Sequence, residues 1–217
     1  MAHPDQEVPV PGFRCKPTLD GEQVLLRPVA ANDVAALLPM FQDAQTARLT
    51  GSHGADEPDE ARLRAWYGTR GDQDDRLDLA VVEKATGQVV GEAVLNEWDA
   101  DNESCSFRIA FVPGAQGRGL GTEATRLILG HGFETLGLHR ISLEVYAFNP
   151  RARRVYEKAG FVPEGVLRDA LLWEGDRVDA TVMSILAPEW FTHRGRPART
   201  GRSSWTEAPL SWESSQP

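Results

Sequence analysis

The segment FVPGAQGRGLGTEATRL, residues 111–127, carries a pattern suited to holding a phosphate group. A run ending at Pro113 is followed by Gly114, Gly117, Gly119 and Gly121, and a helical pattern opens at Thr122. Glycines in that place let the backbone turn tightly with its N–H groups pointing inward. The start of a helix adds unpaired donors and the positive end of its dipole. Such a loop suits a pyrophosphate. It is not a P-loop, because no Gly-Lys-Ser/Thr closes it. Nor does it begin with the GxGxxG of dinucleotide sites, since from Gly117 the third glycine would fall on Thr122.

The elements that position this loop can be read from periodicity. GEQVLLRPV (21–29) predicts a strand ending at Pro28; Asn32 can then cap a helix through Leu38, with Asp33 near its positive end. A second helix is expected from near Pro58 to about Tyr67, with Asp59 and Glu60 in its first turn. The stretch between them, TGSHGADEPD (50–59), is turn chemistry. LDLAVVEK (77–84) and QVVGEAVLNEW (88–98) flank Ala85-Thr86-Gly87 as a hairpin, and SCSFRIAFVP (104–113) is a third strand leading into the glycine loop. Residues 122–137 have helical spacing. HRISLEVYAF (139–148) alternates, with Ile141, Leu143 and Val145 facing one way and Ser142, Glu144 and Tyr146 the other. Asn149-Pro150 opens a helix through Lys158 that Gly160 ends, and strands follow near 161–173 and 177–187.

Gln116-Gly117-Arg118-Gly119-Leu120-Gly121 resembles the Gln/Arg-x-x-Gly-x-Gly/Ala signature of the GNAT superfamily of N-acetyltransferases. The motif Asn149-Pro150-x-Ala152-x-x-Val155-Tyr156-x-x-Ala159-Gly160-Phe161 is similar to a second segment of that family in the same order. LRPVAANDVAALL (26–38) resembles the start of the subgroup that includes the ribosomal-protein N-terminal acetyltransferases. The resemblance covers residues 22–187. It implies an α/β fold with a central mixed, mostly antiparallel sheet flanked by helices. Two of its strands, 104–113 and 139–148, would splay so that acetyl-CoA enters between them.

The resemblance also implies roles for particular residues. The pantetheine arm would bond to backbone near Phe111 and Val112, and the pyrophosphate to Gln116, Gly117, Arg118, Gly119, Gly121 and Thr122. Arg118, with Arg151, Arg153 and Arg154, offers guanidinium groups that pair well with phosphate, and Arg154 is carried as a cofactor contact. Asn149 either bonds the pantetheine arm, caps the following helix, or does both. Tyr156 matches the tyrosine beside the CoA sulfur, where a phenol with a pKa near 10 can give a proton to a departing thiolate. Glu144, twelve residues earlier, matches the base, with Glu92, Glu97 and Glu103 as rivals. The implied reaction is direct attack by an amine on the thioester. The acceptor is a protein N-terminal α-amine or, alternatively, a polyamine or aminoglycoside-like amine; a CoA-binding sensor without turnover is the non-enzymatic alternative. The family leans towards homodimers.

Composition narrows the field around this reading. The 217 residues are 41% hydrophobic and 25% charged, enough for one packed domain. Cys15 and Cys105 are too few for a disulfide framework, and His53, His131 and His139 lack ligand spacing, so no metal site is expected. Cys105, in a strand, reads as a buried thiol. Without a long apolar run or a signal pattern, a cytoplasmic setting and no membrane partner are expected. The net charge of −9 argues against nucleic acid as a direct partner. Residues 40–103 hold 15 acidic and 6 basic side chains, whereas 104–187 hold 9 and 10. An acceptor mouth built by the acidic half, with Asp56, Glu57, Asp59 and Glu60 at its rim, would favour a cation. Residues 1–21 read as an extended arm, and 188–217 as a tail of low helical or strand propensity pinned at Trp190, Trp205 or Trp212.

Overall fold

A computed structural model describes residues 12–53 and 58–194. Asp56, Glu57, Trp205 and Trp212 lie outside them, as do the first eleven residues of the expected arm. The strands are β1 (Leu19–Asp20), β2 (Val24–Pro28), β3 (Leu77–Glu83), β4 (Gln88–Asp99), β5 (Ser104–Phe111), β6 (Arg140–Tyr146), β7 (Val162–Trp173) and β8 (Asp176–Leu186). They form one sheet in the order β1-β2-β3-β4-β5-β6-β8-β7. Each neighbouring pair is antiparallel except β5 and β6, which run parallel.

Helices cover both faces. On one lie α4 (Leu120–Glu134), α5 (Pro150–Ala159) and α6 (Ala187–His193), whose buried side chains include Ile128, Leu129, Tyr156 and Trp190. They close over Leu79, Leu95, Phe107, Ile141 and Met183 of the sheet as the main core. The opposite face carries α1 (Val34–Gln42), α2 (Ala44–Thr50) and α3 (Glu60–Gly68), with a smaller core of Val29, Val34, Leu37, Tyr67 and Ala80. The alternation predicted for 139–148 is realised: Ile141, Leu143 and Val145 are buried in the main core, and Glu144 is exposed.

Local signals account for several boundaries. Asn149 caps α5 by accepting from the Ala152 amide at 3.0 Å, Pro150 occupies the first turn, and Gly160 ends the helix at φ 109°. A side chain at Gly160 would also meet Ile185 at 2.9 Å. α1 departs from expectation. It begins after a short 3-10 turn at Ala31–Asp33, and it is Asp33, not Asn32, that accepts from the Ala30 amide at 2.8 Å while a two-bonded ion pair with Arg27 anchors it. α2 was not anticipated; Asp43 starts it by accepting from the Thr46 amide and hydroxyl.

Regular structure is also found on either side of residues 22–187. Leu19–Asp20 adds an edge strand to β2, and Phe13 is fully buried with its ring edge-on to Trp98. At the other end Ala187–His193 is helical, against the low propensity expected from 188 onward, because Trp190 gives it a buried anchor. The Trp190 ring stacks on Phe133 at 5.8 Å, and its indole N–H donates to Glu134 at 2.8 Å. Trp190→Ala should lower unfolding free energy by about 3–5 kcal/mol, read from urea melts. A loss below about 1 kcal/mol would mean that α6 is only loosely docked.

Candidate active site

The site begins with a break in the sheet. β5 and β6 pair only at Ser104↔Arg140, Cys105↔Ile141 and Ser106↔Ser142, and then diverge. β5 stays paired to β4 as far as Phe111, and β6 to β8 as far as Tyr146. On β5, Val112 donates its amide to Val90 at 2.9 Å. By antiparallel alternation, Phe107, Ile109 and Phe111 then direct their N–H and C=O groups into the gap. On β6, the Ala147 amide donates to Asp179, so Ser142, Glu144 and Tyr146 direct theirs into it from the other side. Of the predicted backbone pair, therefore, Phe111 faces the gap and Val112 is turned away to β4. The opening leads into a cleft of about 1630 Å³ running from the glycine loop to α1 and α2.

The glycine loop forms one end of the cleft. Gly117 and Gly119 have φ near +89° and +88°, a region that side chains disfavour, and Gly119 is the N-cap of α4. The amides of Leu120 and Gly121 follow it, without carbonyl partners one turn back. Gln116, Gly117, Gly119, Gly121 and Thr122 all line the cleft. Arg118 does not, because its guanidinium pairs with Glu83 at the end of β3, whose other oxygen accepts from the Thr86 hydroxyl. From α5, Arg151 and Arg154 line the same end, and Arg151 reaches to 3.3 Å of where a Gly117 side chain would begin. Arg153 turns instead to Glu157 on its own helix. Asn149 lines the cleft while capping α5, so the two roles read from the sequence are compatible in space.

Tyr156 lines the cleft. It is 7% exposed and packs edge-on to Phe107 and Phe161, and burial pushes its phenol up to about 12. The hydroxyl therefore stays protonated across the neutral range and can act as a donor. Glu144 is on the cleft wall and exposed, on the face of the sheet that α1–α3 cover. Glu97, a second rival, also lines the cleft, at φ 55° in a β4 irregularity, and accepts from the Ser106 hydroxyl at 2.7 Å. Glu103 is not among the lining residues. Cys105 is buried, and desolvation raises its thiol to about 12, as expected of a core thiol.

Glu92 has a different environment. It lines the cleft yet is 6% exposed, accepts from the Tyr67 hydroxyl at 2.6 Å and lies 3.6 Å from Arg108. Burial raises its pKa, opposed by the Arg108 charge and the Tyr67 hydrogen bond. Tyr67 and Arg108 were not read as site residues. Strand alternation places Arg108 on the sheet face opposite Phe107, but the Tyr67–Glu92 bond spans 25 residues and no local pattern reveals it. Of the acids expected at the rim, Asp59 accepts from the amides of Ala61 and Arg62 at the start of α3 and Glu60 pairs with Arg64; among the described residues the carboxylates lining the cleft are Glu92, Glu97 and Glu144. Aromatic contacts join α2 and the segment after it to the cleft residues Tyr146, Phe148 and His53: Arg48 of α2 lies over Phe148, Gly51 abuts Tyr146, and His53 stacks on Trp173.

Known proteins match this arrangement. A family model described as an acetyltransferase (GNAT) domain matches residues 23–162. A spermidine N(1)-acetyltransferase of Vibrio cholerae is 34% identical over 110 residues, covering 51% of this chain and 64% of that protein. YdaF of Bacillus subtilis, named as a candidate ribosomal N-acetyltransferase, is 31% identical over 104 residues, covering 48% of this chain and 57% of its own. This chain thus spans somewhat less than two thirds of either relative. The crystal structure of a Vibrio cholerae spermidine N-acetyltransferase with CoA and spermine superposes with a TM-score of 0.72 at 24% identity, over 79% of this chain and 99% of that one. No helix among the described residues is long and apolar enough to cross a membrane.

Glu92 gives the site a measurable pH signature. Its native pKa lies above that of the unfolded chain, so the native state holds this proton to higher pH. The stability it contributes is complete below the ordinary glutamate range and drains as pH rises through the raised value. As pH rises above the ordinary glutamate range the thermal midpoint of the native protein should fall more than that of Glu92→Gln. Equal pH dependences would mean that this carboxyl is not buried.

Proposed function

The chain belongs to the acetyltransferase (GNAT) family, and from that premise we propose that it transfers the acetyl group of acetyl-CoA to a primary amine on a cationic acceptor. N-acetyltransferase activity is the property of the family. The observation that carries the reading for this chain is the convergence of the open β5–β6 backbone, the glycine loop and buried Tyr156 on one cleft.

In this reading the free amide and carbonyl groups of Phe107, Ile109 and Phe111 serve as strand-like partners for the pantetheine arm. The loop at Gly117–Gly121 takes the pyrophosphate, with Arg151 and Arg154 beside it. The acceptor nitrogen attacks the thioester carbon, the C–N bond forms and the C–S bond breaks. Tyr156 gives its proton to the sulfur and is replenished through solvent by the proton that leaves the nitrogen. Glu144, exposed on the wall, takes that proton directly or through water.

An α-amine at a protein N-terminus is the first reading of the acceptor, because such an amine, with a pKa of about 7.7–8.0, gives up its proton far more readily than an alkyl amine near 10.4. The likeness to YdaF supports it. A polyamine is the second reading, favoured by the likeness to a spermidine acetyltransferase and by three carboxylates lining the cleft.

CoA thiol release should be followed against ribosomal-protein N-terminal peptides, polyamines, aminoglycosides and free amino acids. Turnover on one class is expected, and Tyr156→Phe should lower its kcat by about 10²–10⁴-fold while acetyl-CoA affinity holds. Acetyl-CoA binding without turnover on any amine would instead make the domain a sensor.

A further inference from the structure

We infer that Glu92 is the residue that receives the ammonium group of the acceptor, with Tyr67 fixing its carboxyl and Arg108 standing in for the cation until the acceptor arrives. The inference rests on the acetyltransferase reading and assigns the acceptor end of that same cleft.

The two oxygens of Glu92 are unequally satisfied. Oε2 accepts from the Tyr67 hydroxyl at 2.6 Å, whereas the nearest basic group to Oε1 is an Arg108 guanidinium nitrogen at 3.6 Å, outside hydrogen-bond range. A carboxylate can accept several hydrogen bonds, so Oε1 has capacity to spare towards the cleft. The charged and titratable groups around Glu92 leave this opening in place. Tyr67 comes from α3, Arg108 from β5, Asp78 from β3 and Arg76 from just before it. Arg76 is committed to Asp78 by two bonds of 2.7 and 2.8 Å, which leaves Arg108 as the loosely held cation. The Arg108 side chain is 53% exposed and loses little when displaced into water.

Position favours Glu92 over the other acids of the cleft. An ion pair formed at exposed Glu97 or Glu144 is screened by solvent, whereas one formed at a buried carboxylate is not. An unpartnered charge at Glu92 is costly, and a docked ammonium removes that cost. Because burial favours the protonated carboxyl, docking of a cation should also expel a proton from Glu92.

The test is calorimetry on CoA-saturated protein with two probes, spermidine and a short basic peptide with a free N-terminus, each in two buffers of different ionisation enthalpy. The native protein should bind at least one probe with release of a proton. Glu92→Gln, whose amide oxygen can still accept from Tyr67, should bind it about tenfold more weakly or worse and release no proton. Arg108→Gln, altered at an exposed position, should bind it several-fold more tightly. CoA affinity, unchanged in both, reports an intact fold. Should Glu92→Gln fail to fold, an unaltered affinity in Arg108→Gln overturns the inference by itself. Equal binding by native protein and Glu92→Gln overturns it, as does failure of the native protein to bind either probe. If the binding pattern appears but no amine is acetylated, the proposed reaction fails while the cation site stands.

Discussion

Backbone polar groups removed from water need partners, and this fold depends on how it treats that rule at one seam. β5 and β6 share three residue pairs and then part, each still tied to the neighbour on its far side. β6 keeps seven pairs to β8 and β5 six consecutive pairs to β4, so each strand stays in the sheet on its far side while the seam opens. Phe107, Tyr156 and Phe161 fill the core beneath the gap. What remains is a row of donors and acceptors with no strand to complete them, which an extended, amide-bearing chain can do. The pantetheine arm of acetyl-CoA is such a chain.

The sheet separates two tasks. The face under α4–α6 holds the main core, with Tyr156 embedded in it and the positive start of α4 at the cleft's end. The opposite face, under α1–α3, carries Glu92, Arg108 and Glu144 on successive strands. The proposed reaction would place a phosphate-rich donor and a cationic acceptor at the two ends of this one opening.

Much of the first half of this account was legible in the sequence, because its signals are local. The glycines that turn at positive φ, the cap–proline opening of α5, its closing Gly160 and the two-residue period of β6 each act within a few residues. They sufficed to place Tyr156 and Glu144 on one cleft. The acceptor side depends on contacts distant in sequence. The partners of Asp59 and Glu60 at the start of α3, and of Arg118 at Glu83, 35 residues away, are contacts that no local pattern announces. Glu92 and Glu144 are the same residue type on strands of one sheet. That one is buried against Tyr67 and the other is open follows from where α3 lands, which strand periodicity does not encode. Ladder register, which periodicity does not give, decides which residue turns its amide to the gap; it places Phe111 there and directs the Val112 amide to β4.

The central claim is that the backbone exposed between β5 and β6 is the seat of acetyl-CoA. Amide hydrogen exchange with and without saturating acetyl-CoA tests it residue by residue. The amides of Phe107, Ile109 and Phe111, together with those of Gly117 to Gly121, should slow by about tenfold or more on binding, while those of Arg108 and Val112, directed to β4, change little. Protection confined to the glycine loop, or spread evenly along β5, would contradict the account.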